Sequence, residues 1–200
     1  MNSNPASLIS SNFLHDLKSK TSDSHKKLES LPVSSSILSP EMKIDDYCHY
    51  LALMQDVHHD TEAVVFPLLS EIIEDLEQRK KSQLLENDLQ FLNFKKESYK
   101  SVFDNQEMSV PFALGVFYVI EGSTLGGRFI LKNVTLNEQL SQGKGVSYFS
   151  GYGDKTGSYW KSFLNVLEEY EQRFNCGNEI IKGAVYGFDS IYNHFLSTEK

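Results

Sequence analysis

His25 and Glu29 stand four residues apart, which on a helix puts an imidazole and a carboxylate one turn from each other. That pairing suits a metal-bound histidine: one ring nitrogen binds the ion, and the carboxylate takes the proton of the other and fixes the tautomer. Lys18 lies seven residues before His25, on the same side of such a helix. Far downstream, an apolar run from Val110 to Val134 contains the block Gly122-Ser123-Thr124-Leu125-Gly126-Gly127. Each glycine inside a helix costs about 1 kcal/mol relative to alanine, so something must offset the loss. Close approach of a neighbouring helix would do so, and so would close approach of a flat ligand to the bared backbone. Gly115, outside the block, is read as a packing glycine.

The elements that must position these residues are all helical. Leu14, Leu17, Thr21, His25 and Leu28 recur at intervals of three and four, so Asn12 to Ser30 reads as an amphipathic helix with His25 turned inward. Pro32 ends it, and a serine-rich link leads through Pro40 to a second helical region, Glu41 to Leu69, ended or kinked at Pro67. Leucines at helical spacing from Glu71 to Phe94 read as one or two surface helices, with Glu77-Gln78-Arg79-Lys80-Lys81 as a solvated face. Pro111 starts the glycine-bearing helix. Gly143 to Gly145 is a loop, Gly151 to Gly157 a glycine turn with Thr156 near the cap of a helix from Tyr159 to Phe174, and Glu179 to Leu196 a last helix. No alternating apolar run bounded by hairpin turns occurs, so the expected fold is all-α, a single domain of about seven to nine helices over residues 12–197 behind a flexible tail, 1–11.

Composition excludes several functions. A formal net charge of -8 opposes a nucleic-acid module, which would carry a basic excess. Cys48 and Cys176 have no CxxC partner, so neither a disulfide framework nor a zinc site is indicated. Asp46-x-x-His49 and Asp56-x-x-His59 lie on one helix and lack the glutamates of a di-metal bundle site. The 151–157 turn lacks the Gly-Lys-Ser/Thr of a phosphate loop. No charged and then apolar leader opens the chain, and the best apolar run, Val110 to Ile120, is closed by Glu121. The expectation is therefore a cytoplasmic protein with no membrane anchor.

An inward histidine with a carboxylate partner can supply the axial ligand of a haem, and a helix bared of side chains lets its backbone approach the other haem face. Lysines at the rim can pair with propionates. On three blocks the chain resembles the biliverdin-producing haem oxygenases, closest in style to the soluble bacterial forms. They are Leu17-Lys18-x-x-Thr21-x-x-x-His25-x-x-x-Glu29, Tyr118-Val119-Ile120-Glu121-Gly122-Ser123-x-Leu125-Gly126-Gly127, and Gly151-Tyr152-Gly153-x-x-Thr156-Gly157-x-x-Trp160. The resemblance spans Phe13 to Phe195.

It implies haem b as both cofactor and substrate, with His25 as the iron ligand and Glu29 bonded to its far ring nitrogen. Gly122, Ser123, Gly126 and Gly127 would form the distal wall. Lys18, Tyr118 and Lys161 match propionate-holding positions, and Phe195 falls among the aromatic residues closing the pocket. The implied reaction opens the ring at a meso carbon with O2 and reductant, giving biliverdin, carbon monoxide and ferrous iron. An imidazole ligand gives the iron less electronic push than a thiolate, which suits attack on the ring. The implied partners are an electron donor (a ferredoxin, a flavodoxin-type protein, a reductase or a small reductant) and a phytochrome as one acceptor of biliverdin. Lys18, Lys20, Lys26 and Lys27 are the local basic patch for an acidic donor. Animal members carry Asp where Ser123 stands and Arg where Val119 stands, so the distal network here must differ. His58 matches a network tyrosine, although its residue type and position fit a helix-surface histidine better. The alternative is a haem-binding or haem-trafficking protein of the same fold without turnover.

Overall fold

The structure, a computed structural model, describes residues 5–103 and 107–197, with side chains described from Phe13 onward. Among the described residues there is no strand. The helices are α1 (Pro5–Glu29), α2 (Pro32–Ser36), α3 (Ile44–Asp60), α4 (Phe66–Leu69), α5 (Leu76–Arg79), α6 (Ser82–Phe91), α7 (Val110–Val134), α8 (Ser147–Ser150), α9 (Thr156–Phe174) and α10 (Gly177–Leu196). A π-helical turn, Thr61–Val65, joins α3 to α4 in one rod. There the Phe66 N–H reaches back to the Thr61 carbonyl, and Pro67, which has no N–H to donate, is accommodated at the start of α4 instead of ending the rod.

Local chemistry explains the other boundaries. The Ser109 hydroxyl accepts from the Phe112 N–H at the start of α7, with proline in its first turn. Asn175 adopts the left-handed conformation (φ 48, ψ 47) and ends α9. Gly151 and Gly153 take φ of 49 and 57, giving the glycine turn that the sequence predicts before α9. α1 begins at Pro5, earlier than the apolar periodicity shows.

The core is organised on α10, against which α1 and α7 both lie. The α7–α10 contact is built from glycine: a Cβ on Gly115 would sit 2.0 Å from the Ile180 carbonyl oxygen, and one on Gly183 would sit 2.0 Å from that of Phe112. Both obstacles are backbone, so nothing can yield cheaply, and the packing role predicted for Gly115 holds. Gly115→Ala is expected to destabilise the fold by about 1–3 kcal/mol, measured by urea unfolding. α7 is long and apolar enough to cross a membrane by length and composition, yet its first half is buried in this core. α1 meets α10 through Phe13, which faces Gly177, and through a 3.0 Å hydrogen bond from the Ser24 hydroxyl to Asp189.

Candidate haem site

α10 serves as a ruler for what faces what. On one side His25 meets the Phe188 ring edge to face, with centroids 5.4 Å apart. On the other, Gly187 lies against Val116 and Val119 of α7, one turn before the glycine block. His25 and the turn of α7 that leads into the block therefore flank α10 at neighbouring residues, 188 and 187. His25 Nε2 is 3.5 Å from Glu29 Oε1, so the predicted pairing across one helical turn forms.

The inward orientation predicted for His25 does not hold: its side chain is 53% exposed. The cause is geometric. A ladder of four-residue steps drifts about 40° per step, so by the second step from Leu17 the side chain has left the buried arc. Leu17 and Thr21 are buried, and His25 stands at the edge beside α10.

The glycines of α7 divide by what surrounds them. A Cβ on Gly126 would meet nothing within 4 Å, while Cβ atoms on Gly122 and Gly127 would make only ordinary contacts, 3.6 Å to Trp160 and 3.5 Å to the Phe149 carbonyl oxygen. Packing thus accounts for Gly115 and leaves Gly126 unexplained. Gly126 and Ser123 are exposed, flanked by the exposed apolar side chains Leu125 and Phe129. Lys18 and Lys161 are exposed and make no ion pair with a described residue. Tyr118 is half-buried with its ring 5.4 Å from Trp160, and burial raises its hydroxyl pKa. Phe195 is buried with its ring centroid 5.8 Å from that of Tyr50.

Beneath the block lies a cavity of about 30 Å³ lined by Ser123, Thr124 and Gly127 of α7 together with Tyr148, Lys81 and Thr156. That volume suits a single water with several polar partners. The Tyr148 hydroxyl is 3.1 Å from His58 Nε2, and Tyr148 shares the cavity wall with Ser123, whose own hydroxyl donates to the Ile120 carbonyl at 2.7 Å. His58 is therefore no surface residue: it is 2% exposed, and a tyrosine ninety residues along the chain covers it. Burial, followed by the nearby Lys81 ammonium, pushes its pKa down to about 3. The folded state thus holds His58 neutral where the unfolded chain would protonate it, so stability falls as pH drops from about 6.5 toward 3. Urea midpoints measured from pH 7 to 4 are expected to fall less in His58→Gln than in wild type.

The predicted solvated face at residues 77–81 is also corrected. Arg79 and Lys81 are buried, while Glu77 and Lys80 remain outside. The Arg79 guanidinium bonds Glu121 at 2.7 Å and Asp75 at 2.6 Å, and the Tyr152 hydroxyl donates to the other Glu121 oxygen at 2.6 Å. Lys81 places its ammonium 3.4 Å over the Tyr152 ring, and burial lowers its pKa to about 8. These buried charges tie the end of α5 and the 151–157 turn to α7 directly beside the glycine block. The sequence signal available was Glu121 itself, a carboxylate inside an apolar helix that requires a cationic partner when buried.

Comparison with known proteins identifies the family and the fold. The family model described as Heme oxygenase matches residues 11–197. Heme oxygenase PigA of Pseudomonas aeruginosa is 26% identical over 176 residues, covering 88% of this chain and 85% of that protein. The heme oxygenase of Neisseria meningitidis, solved with NO and CO bound, superposes with a TM-score of 0.77 at 23% identity, covering 93% of this chain and 91% of that one. The heme oxygenase of Leptospira interrogans gives a TM-score of 0.78 at 18% identity, covering 92% of this chain and 98% of that one. The family match spans nearly the whole chain, including His25, the glycine block and the 151–157 turn, and the chain belongs to the haem oxygenase family.

Proposed function

We propose that the protein cleaves haem at a meso carbon, with O2 and a reductant, to give biliverdin, carbon monoxide and ferrous iron. The observation that carries this reading is Gly126: a glycine in mid-helix, facing open space, two turns along α7 from Val119, which packs on the opposite side of α10 from His25. No neighbouring helix requires it, so a flat ligand is the remaining reason for its bareness. The half-exposed His25, its Glu29 partner and the apolar Leu125 and Phe129 fit a haem bound between α1 and α7.

His25 would hold the iron, and Glu29 would orient the imidazole ring. Gly122, Ser123, Gly126 and Gly127 would let the α7 backbone close over the opposite face. Lys18, Tyr118 and Lys161 would take the propionates, and Phe195 would back the pocket from the core. Bound haem would supply both the metal that activates O2 and the carbon that is attacked. On the distal side, the Tyr148–His58 pair and Ser123, which with Tyr148 lines the cavity beneath the block, would supply exchangeable protons. These groups would take the place of the carboxylate that Ser123 replaces. The exposed patch of Lys18, Lys20, Lys26 and Lys27 on α1 would seat an acidic electron donor.

Carbon monoxide provides the test. Turnover of the hemin complex with ascorbate in air, with ferrous myoglobin as the trap, should release CO in equal amount to the haem consumed. Haem loss without CO, or no haem loss, would favour the haem-trafficking reading.

A further inference from the structure

A groove of about 530 Å³ lies between α3, α6 and the segment that follows α6. No part of the haem site lines it. Its floor contains Gln55, 96% buried, with no hydrogen bond to any described residue. The side chain is thus held in place by burial while its amide, unpaired among the described residues, opens onto the groove, where a bound molecule can pair with it.

The walls are fixed. Asp56 accepts from the Lys100 N–H at 3.0 Å and from the Lys96 ammonium at 2.5 Å, and Asp60 accepts from the Val102 N–H at 2.6 Å. These bonds strap the segment to α3, and Tyr99 is held by stacking on His59 with centroids 4.5 Å apart. Leu89, Phe94 and Tyr99 supply apolar surface. Among the charged lining groups Lys96 is neutralised by Asp56, which leaves Glu86 and Glu97 facing Lys95.

We infer that this groove is a second ligand site, for a neutral heteroaromatic molecule that presents a donor and an acceptor on one edge, of the purine nucleoside class. The amide of Gln55 offers one carbonyl acceptor and two N–H donors side by side, the complement of the N6/N7 edge of adenine. The apolar walls suit a flat ring. Two carboxylates against one free ammonium disfavour a phosphorylated ligand.

The probe is adenosine, with AMP as the charged control, titrated into the full-length protein and read from the side-chain amide resonances of Gln55. Adenosine is expected to shift those resonances saturably and to bind more tightly than AMP. Gln55→Leu should weaken adenosine binding at least tenfold while leaving hemin binding and turnover unchanged. It should also leave the melting temperature unchanged, because no hydrogen bond to a described residue is lost. Failure of millimolar adenosine to move the Gln55 resonances, or tighter binding of AMP, would overturn the assignment. So would a lowered melting temperature in Gln55→Leu, which would make the amide a structural member of the core.

Discussion

His25→Ala is expected to bind hemin without axial histidine ligation and to lose at least about 100-fold in haem turnover, beyond the upper range for loss of an outer partner of a metal ligand. The fold should survive. His25 is half-exposed, its described contacts are the Phe188 ring and the Glu29 carboxylate, and surface substitutions of this kind stay within about 0.5 kcal/mol. Added imidazole should restore part of the ligated absorption spectrum, which a purely structural role for His25 would not allow. Glu29→Ala should give a smaller loss of the same kind, since it removes the partner that orients the ring and leaves the ligand in place. Wild-type turnover in His25→Ala would remove the proximal assignment.

Gly126→Leu has the second large effect, and its value lies in separating stability from function. The position is helical and a Cβ there meets nothing within 4 Å, so exchange of glycine for a better helix former should leave stability unchanged or raise it by about 1 kcal/mol. The leucine side chain would fill the space that the bare backbone leaves for haem and O2, so hemin affinity or turnover should collapse. Gly115→Ala should behave in the opposite way, with loss of stability and little direct effect on the site, because its Cβ would strike the backbone of α10. A Gly126→Leu protein with undiminished turnover would place the ligand elsewhere. Urea unfolding and single-turnover assays on the two glycine variants together make the contrast visible.

The fold class was legible because apolar residues at three- and four-residue spacing mark helix after helix, and because Pro32, Pro111, Asn175 and the glycines of 151–157 punctuate them chemically. His25 with Glu29, and the division between Gly115 and the later glycines, could also be read from spacing. Two of the misreadings share one physical origin, since both depended on a partner far away in the chain. Arg79 and Lys81 look solvated in a charged pentapeptide, and only Glu121 and Tyr152, brought in from α7 and the 151–157 turn, bury them. His58 looks like a surface residue until Tyr148 closes over it. The outward turn of His25 has a different cause, the slow rotation of a four-residue ladder around α1, which decides between core and edge at the second step. Gln55 gave no signal at all, because the groove it lines is walled by the later segment that Asp56 and Asp60 hold against α3.

The most direct test of the haem oxygenase reading is the absorption spectrum of the hemin-reconstituted protein, recorded before and after a reductant is added in air. The account predicts a histidine-ligated Soret band that decays as the broad red band of biliverdin grows. A Soret band that persists through prolonged reduction in air would contradict it.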